Sequence, residues 1–179
     1  MAHRPSNIAR NIWTLESLQI QPTDRLLEIG YGPGIALERS TDYVVNGAIV
    51  GIDCSATMFA QASKRNRVAI RDSRMRLYTG CLEDLPQTEG CFDKIYSSNV
   101  VQFWDDPAAE FSKLRKLLLP RGKIATTYMP RNANPTSVDT RRMSEVIQSA
   151  LREAGFSQIK ALTKPFGKID AVCILAAPE

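Results

Sequence analysis

The chain has 179 residues, 44% of them hydrophobic, and a formal charge of +4. That is enough chain to bury one core, and it predicts a single domain over 1–179. No apolar run approaches the roughly 18 residues a membrane span needs, and Met1 to Arg10 lacks the apolar stretch of a signal peptide, so a cytoplasmic protein without membrane insertion is expected. Cys54, Cys81, Cys91 and Cys173 show no paired spacing and have no nearby histidine, which argues against both a zinc site and a disulfide framework. They are expected to be reduced, with Cys54 and Cys81 ordinary buried thiols, and no metal is expected.

Ile8, Ile12, Leu15 and Leu18 recur at helical spacing after Pro5 and Ser6. This predicts an N-terminal helix within residues 1–20, placed to cover a site, and Gln21-Pro22-Thr23-Asp24 ends it. Arg25 to Ile29 reads as a short buried strand. It runs into Gly30-Tyr31-Gly32-Pro33-Gly34, a turn whose glycines bring backbone close to a bound molecule. A helix follows, with Ile35, Leu37, Tyr43 and Val44 inward and an end near Asn46-Gly47.

Ala48 to Asp53 is the second strand. Ser55 is the predicted N-cap of a helix over Ala56 to Arg65 whose Met58, Phe59 and Ala62 face inward. Lys64, Arg65, Arg67, Arg71, Arg74 and Arg76 form a basic cluster. It lacks interleaved aromatics and contains Asp72, so a solvated helix end is expected rather than a nucleic-acid face. Met75 to Thr79 and Phe92 to Ser97 read as the third and fourth strands. Pro107 to Leu119 reads as a helix with Phe111, Leu114, Leu117 and Leu118 inward, and Lys123 to Tyr128 as the fifth strand.

Strands alternating with helices imply a doubly wound α/β architecture, a parallel sheet with helices on both faces and ligands beyond the carboxyl ends of the strands. The tail departs from that alternation. A polar loop over Pro130 to Asp139 leads to a helix around Arg141 to Ala154, and Phe156 to Leu162 with Ala171 to Ala176 suggests an antiparallel end hairpin.

The glycine pattern is G-x-G-x-G. Ile35 or Leu37 stands where a dinucleotide fingerprint needs its third glycine, which weighs against a nicotinamide-dependent oxidoreductase. Asp53 ends the second strand where a carboxylate can accept hydrogen bonds from both ribose hydroxyls, although it could also cap the next helix.

Glu28-Ile29-Gly30-Tyr31-Gly32-Pro33-Gly34, Gly51-Ile52-Asp53, Gly80 to Pro86, Phe92-Asp93 to Trp104 and Leu119-Pro120-Arg121-Gly122-Lys123 together resemble the successive motifs of class I S-adenosylmethionine-dependent methyltransferases. The similarity runs from about Ile20 to Pro178 and is nearest to the small ubiquinone-biosynthesis-like, type 11 group. It implies a Rossmann-like three-layer sandwich on a seven-stranded sheet ordered 3-2-1-4-5-7-6, with the last strand antiparallel.

The resemblance also implies cofactor contacts. Glu28, Gly30, Tyr31, Gly32 and Gly34 belong to the methionine end, Asp53 to the ribose, and Cys54 or Met58 to adenine. Relatives place an Asp after the third-strand glycine to pair with the adenine amino group, and this chain has Cys81 there. Leu82 through its N–H and Glu83 through its carboxylate are the substitutes.

Ser97 to Trp104 is expected to floor the reaction site, with Asn99 beside the methyl donor. Asn99, Gln102 and Tyr128 are the weak catalytic candidates, and the lone histidine, His3, is read as incidental. A small-molecule acceptor that is already nucleophilic is favoured over an unactivated alcohol. Ile12, Trp13, Arg131 and Asn132 are lid candidates in a monomer or homodimer. The alternatives are a cofactor-binding protein without catalysis and an RNA or protein methyltransferase.

Overall fold

The computed structural model describes residues 5–132 and 134–178; His3 lies outside them. Seven strands form one sheet in the order β3-β2-β1-β4-β5-β7-β6. They are β1 (Arg25–Ile29), β2 (Ala48–Asp53), β3 (Met75–Thr79), β4 (Phe92–Ser98), β5 (Leu118–Tyr128), β6 (Phe156–Phe166) and β7 (Ile169–Pro178). β1 to β5 pair in parallel and β7 runs antiparallel to both β5 and β6. Fold class and strand order agree with the sequence reading.

Side chains alternate across the sheet and build two cores. Leu27, Ile29, Val50, Ile52, Ile95 and Ile124 face α5 (Pro107–Lys116) and α6 (Ser137–Glu153). Leu26, Ile49, Tyr96 and Ala125 face α1 (Pro5–Ser17), α2 (Ile35–Ser40), α3 (Ala56–Arg65) and α4 (Arg67–Arg71). Strands apolar on both faces are what a sheet covered by helices requires.

Several boundaries differ from expectation. α2 stops at Ser40, because the hydroxyls of Ser40 and Thr41 bond back to the carbonyls of Leu37 and Glu38 and the chain turns there. α5 stops at Lys116, and Leu118 belongs to β5, opposite Phe92. Phe59 does not face inward: it is 37% exposed, and Ala62 is the buried residue of α3.

The basic cluster is dispersed over α3, α4 and β3. Arg65 bonds to Pro33 O and Glu38, Arg71 to Asp72, and Arg76 makes a fork to Glu89 at 2.6 and 2.7 Å. No helix among the described residues is long and apolar enough to cross a membrane.

Candidate functional site

β1 enters α2 through the glycine turn, and that turn borders a cavity of about 650 Å³ at the carboxyl edge of β1, β2 and β4. Gly30 N–H donates to Ile52 O at 2.8 Å, anchoring the turn to β2. Gly34 is the N-cap of α2 with φ +76°. A Cβ there would stand 2.6 Å from Asn66 Nδ2 and 2.8 Å from Ala62 Cβ, so α3 packs against bare backbone.

Asp53 joins the parts. Its Oδ2 accepts from Gly32 N–H at 2.8 Å and its Oδ1 from Ser55 N–H at 2.9 Å. A carboxylate has about four acceptor sites, so two remain for a ligand. The ribose and capping readings are thus compatible, because the hydrogen bonds that fix the carboxylate do not exhaust it.

Gly30, Asp53, Cys54, Cys81, Leu82, Glu83 and Asn99 line the cavity together. Cys54 and Cys81 are exposed rather than buried; Cys173 is the buried thiol. Met58 is absent from the lining. Its N–H is held by Ser55 Oγ at 3.3 Å and its side chain packs with the core of that face. Gly32 and Gly34 shape the turn without lining the cavity.

Tyr31 and Glu28 lie outside the lining, buried in the protein. Tyr31 donates to Tyr78 O at 3.0 Å, and burial together with Asp53 pushes its phenol up to about 12, which removes it as a base at neutral pH. Glu28 is 3% exposed and accepts from Tyr96 OH at 2.6 Å. Burial pushes its carboxyl up to about 8 against the opposing effect of that hydrogen bond.

Glu28 therefore keeps its proton in the fold at pH values where the unfolded chain has lost it. The contribution of Glu28 to stability should be fully present below about pH 4.5 and be lost by at most about 1.4 kcal/mol per pH unit toward pH 8, whereas that of Glu89, held down by Arg76, is lost as pH falls. Glu28→Gln, which stays neutral, is expected to flatten that stretch of the melting-temperature profile. An unchanged profile would remove Glu28 as its source.

Cys81 opens a tight turn closed by Asp84, whose Oδ2 accepts from Cys81 N–H at 2.8 Å. Glu83 does not stand free to meet a base. It pairs with Lys113, which also holds Glu110 at 2.5 Å, and this pairing keeps Glu83 below the usual carboxylate range.

Asn99 is spent on structure. Its Nδ2 donates to Met129 O at 2.7 Å and its Oδ1 accepts from Met129 N–H at 3.1 Å. Gln102 donates to Asn99 O and lies outside the lining, as does Tyr128, whose phenol is pushed up by burial and Asp139. Val100, Phe103 and Trp104 do line the cavity. Phe103 is 78% exposed at its mouth and Trp104 packs edge-on against Phe111. Of the lid candidates, Trp13 is instead a core residue stacked near Phe166, whereas Arg131 donates to Asn7 and ties the loop after β5 to α1.

Sequence reasoning missed Asp105, Asp106, Glu110 and Lys113, which complete the wall. α5 was legible only through its apolar stripe, and the charged stripe on its other face was the available signal. The lining holds five carboxylates, Asp53, Glu83, Asp105, Asp106 and Glu110, against one ammonium, Lys113. Such a wall favours a cationic ligand over an anionic one.

The sequence profile of the family described as "Methyltransferase domain" matches residues 27–126. The uncharacterized methyltransferase YdaC of Bacillus subtilis is 29% identical over 170 residues, 95% of this chain and 92% of that protein. Among solved structures, the N-methyltransferase NodS from Bradyrhizobium japonicum superposes with a TM-score of 0.75 at 18% identity, covering 100% of both chains. A geranyl diphosphate methyltransferase in complex with its cofactor gives 0.73 at 14% identity, covering 97% of this chain and 86% of the other.

Proposed function

This chain belongs to the methyltransferase-domain family, the class I S-adenosylmethionine-dependent methyltransferases, and we propose that it methylates a small molecule whose accepting atom is already nucleophilic. The observation that carries this reading is the sign of the cavity wall. Bound S-adenosylmethionine supplies an electrophilic methyl group on a cationic sulfonium. Five carboxylates against one ammonium suit that cation and oppose the diphosphate of a nicotinamide dinucleotide.

A cavity of about 650 Å³ lies within the usual range for ligand pockets. In this reading Asp53 receives the two ribose hydroxyls on its remaining lone pairs, Leu82 N–H and Cys54 border the adenine, and Gly30 gives the methionine end access to bare backbone. Glu28, Tyr31, Gly32, Gly34 and Met58 support the turn and the helix behind it. Cys81 borders the base without supplying the carboxylate that relatives use.

Val100, Phe103 and Trp104 exclude water and align the acceptor, which is the main catalytic work in a direct displacement. None of the catalytic candidates read from the sequence is free to act as a base: Asn99 is committed to Met129, Gln102 to Asn99, and Tyr128, like Tyr31, is pushed away from neutrality. An amine, a thiolate or a stabilised carbanion fits such a site better than an alcohol.

Calorimetric titration with S-adenosylhomocysteine and, separately, with NAD tests the reading. Micromolar affinity for the former and no saturable heat with the latter is expected. The reverse pattern would overturn it.

A further inference from the structure

Two of the four cysteines come together in the fold. Cys54 follows Asp53 at the carboxyl end of β2, Cys81 follows Gly80 at the carboxyl end of β3, and both are exposed on the lining of the cavity. The other two lie elsewhere. Cys91 stands at the opposite, amino edge of the sheet, just before Phe92 opens β4. Cys173 is buried within β7, where burial pushes its thiol up to about 11.

The ladder between β2 and β3 fixes how near Cys54 and Cys81 come. Asp53 pairs with Thr79, and Gly80 N–H donates to Asp53 O at 3.0 Å, so the pairing runs to the last residue of each strand and one step beyond in β3. Cys54 is then level with Gly80, and Cys81 is one residue further on. Neighbouring strands lie about 4.8 Å apart and rise about 3.3 Å per residue, which puts Cα atoms one position out of register about 6 Å apart. Disulfides span roughly 4.4–6.8 Å between Cα atoms. The turn after β3 keeps Cys81 close: Asp84 Oδ2 accepts from Cys81 N–H at 2.8 Å and folds over Gly80, where any Cβ would collide with the Asp84 side chain.

We propose that Cys54 and Cys81 are a modification site, joined by an oxidant of the peroxide class in a disulfide that closes the adenine end of the cavity. One thiol gives up its proton, and the thiolate attacks hydrogen peroxide, releasing hydroxide and becoming a sulfenic acid. The other thiol displaces that oxygen as water, and the S–S bond forms. Two thiols are oxidised and one peroxide is reduced to two waters. The bond itself rests on the register of β2 and β3, and its effect on the cofactor rests on the methyltransferase reading. In that reading both residues border the base, so a bridge between them fills space that the base enters. Binding and oxidation then oppose each other reciprocally: the disulfide excludes the cofactor, and bound cofactor protects the thiols.

The test treats reduced wild type with hydrogen peroxide and compares intact mass, a non-reducing peptide map and S-adenosylhomocysteine calorimetry before and after. The expected product is a monomer lighter by two hydrogens, with the peptides of Cys54 and Cys81 linked. Its affinity for S-adenosylhomocysteine should fall by tenfold or more and return with dithiothreitol. Prior saturation with S-adenosylhomocysteine should slow the cross-link by tenfold or more. Cys91→Ser should form the cross-link as wild type does, whereas Cys54→Ser and Cys81→Ser should form none within the chain.

The proposal is overturned if peroxide yields only sulfenic or sulfinic acids or disulfides between chains, or if the map joins a different pair. It is also overturned if the cross-linked protein loses less than tenfold in affinity, or if saturation leaves the cross-linking rate unchanged. Absence of S-adenosylhomocysteine binding by the reduced wild type overturns the methyltransferase reading instead, and the mass and peptide map then decide the disulfide alone.

Discussion

Asp53→Ala is expected to weaken S-adenosylhomocysteine binding by about 100-fold in calorimetric titration. Hydrogen bonds to a charged acceptor contribute roughly 1.5–3 kcal/mol each, and two ribose hydroxyls losing theirs together reach that factor even with partial compensation by water. The same carboxylate oxygens hold Gly32 N–H at 2.8 Å and Ser55 N–H at 2.9 Å. Alanine thus also frees the glycine turn from the start of α3, and a loss of about 1–3 kcal/mol in unfolding free energy should accompany the affinity change.

Asp53→Asn separates the two effects. It keeps the size of the side chain but turns an N–H2 toward one of the two backbone donors, so it should lose affinity while costing less stability than alanine. If Asp53→Ala binds within twofold of wild type, the ribose is held elsewhere.

Gly34→Ala should cost about 3 kcal/mol in urea denaturation. The φ of +76° is strained for any residue with a Cβ, worth roughly 1 kcal/mol. The new methyl would also press on Asn66 Nδ2 and Ala62 Cβ, an overpacking worth roughly 1–3 kcal/mol. Asn66 cannot move away freely, because its amide donates to Gly34 O at 3.1 Å and to Ala62 O at 3.0 Å. A cost under about 1 kcal/mol would mean that α3 and the turn are not packed in this way.

The sheet was legible because its strands are short apolar runs cut by glycine, proline and acidic residues, and β1, β2 and β3 fall where that pattern puts them. Helix ends were less legible. The apolar residues Tyr43 and Val44 continue the periodicity of α2 but reach the core from a turn, since burial alone does not say which backbone delivers a side chain. Leu118 shows the same ambiguity at the start of β5, where three consecutive leucines suit a helix end or a strand.

In the site, Gly30 and Asp53 could be found because their chemistry is tied to one position in one motif. Exposure of Cys54 and Cys81 could not, because thiols are usually buried and the cavity is what opens them to water. The acidic wall from α5 was hidden for another reason. Asp106, Glu110 and Lys113 look like any solvated helix face until the fold sets them opposite Gly80 and Cys81.

The position of β7 constrains how the chain is assembled during synthesis. β6 is made before β7, yet its only partner in the sheet is β7, which lies between it and β5. Until Ile169–Pro178 leaves the ribosome, β6 has no neighbour in the sheet and the outer edge of β5 is open. An open strand edge is a template for pairing with other chains. The nascent chain is thus exposed to misassembly until β7 arrives, while β1 to β5 have all been made and β5 still lacks the partner that closes its edge.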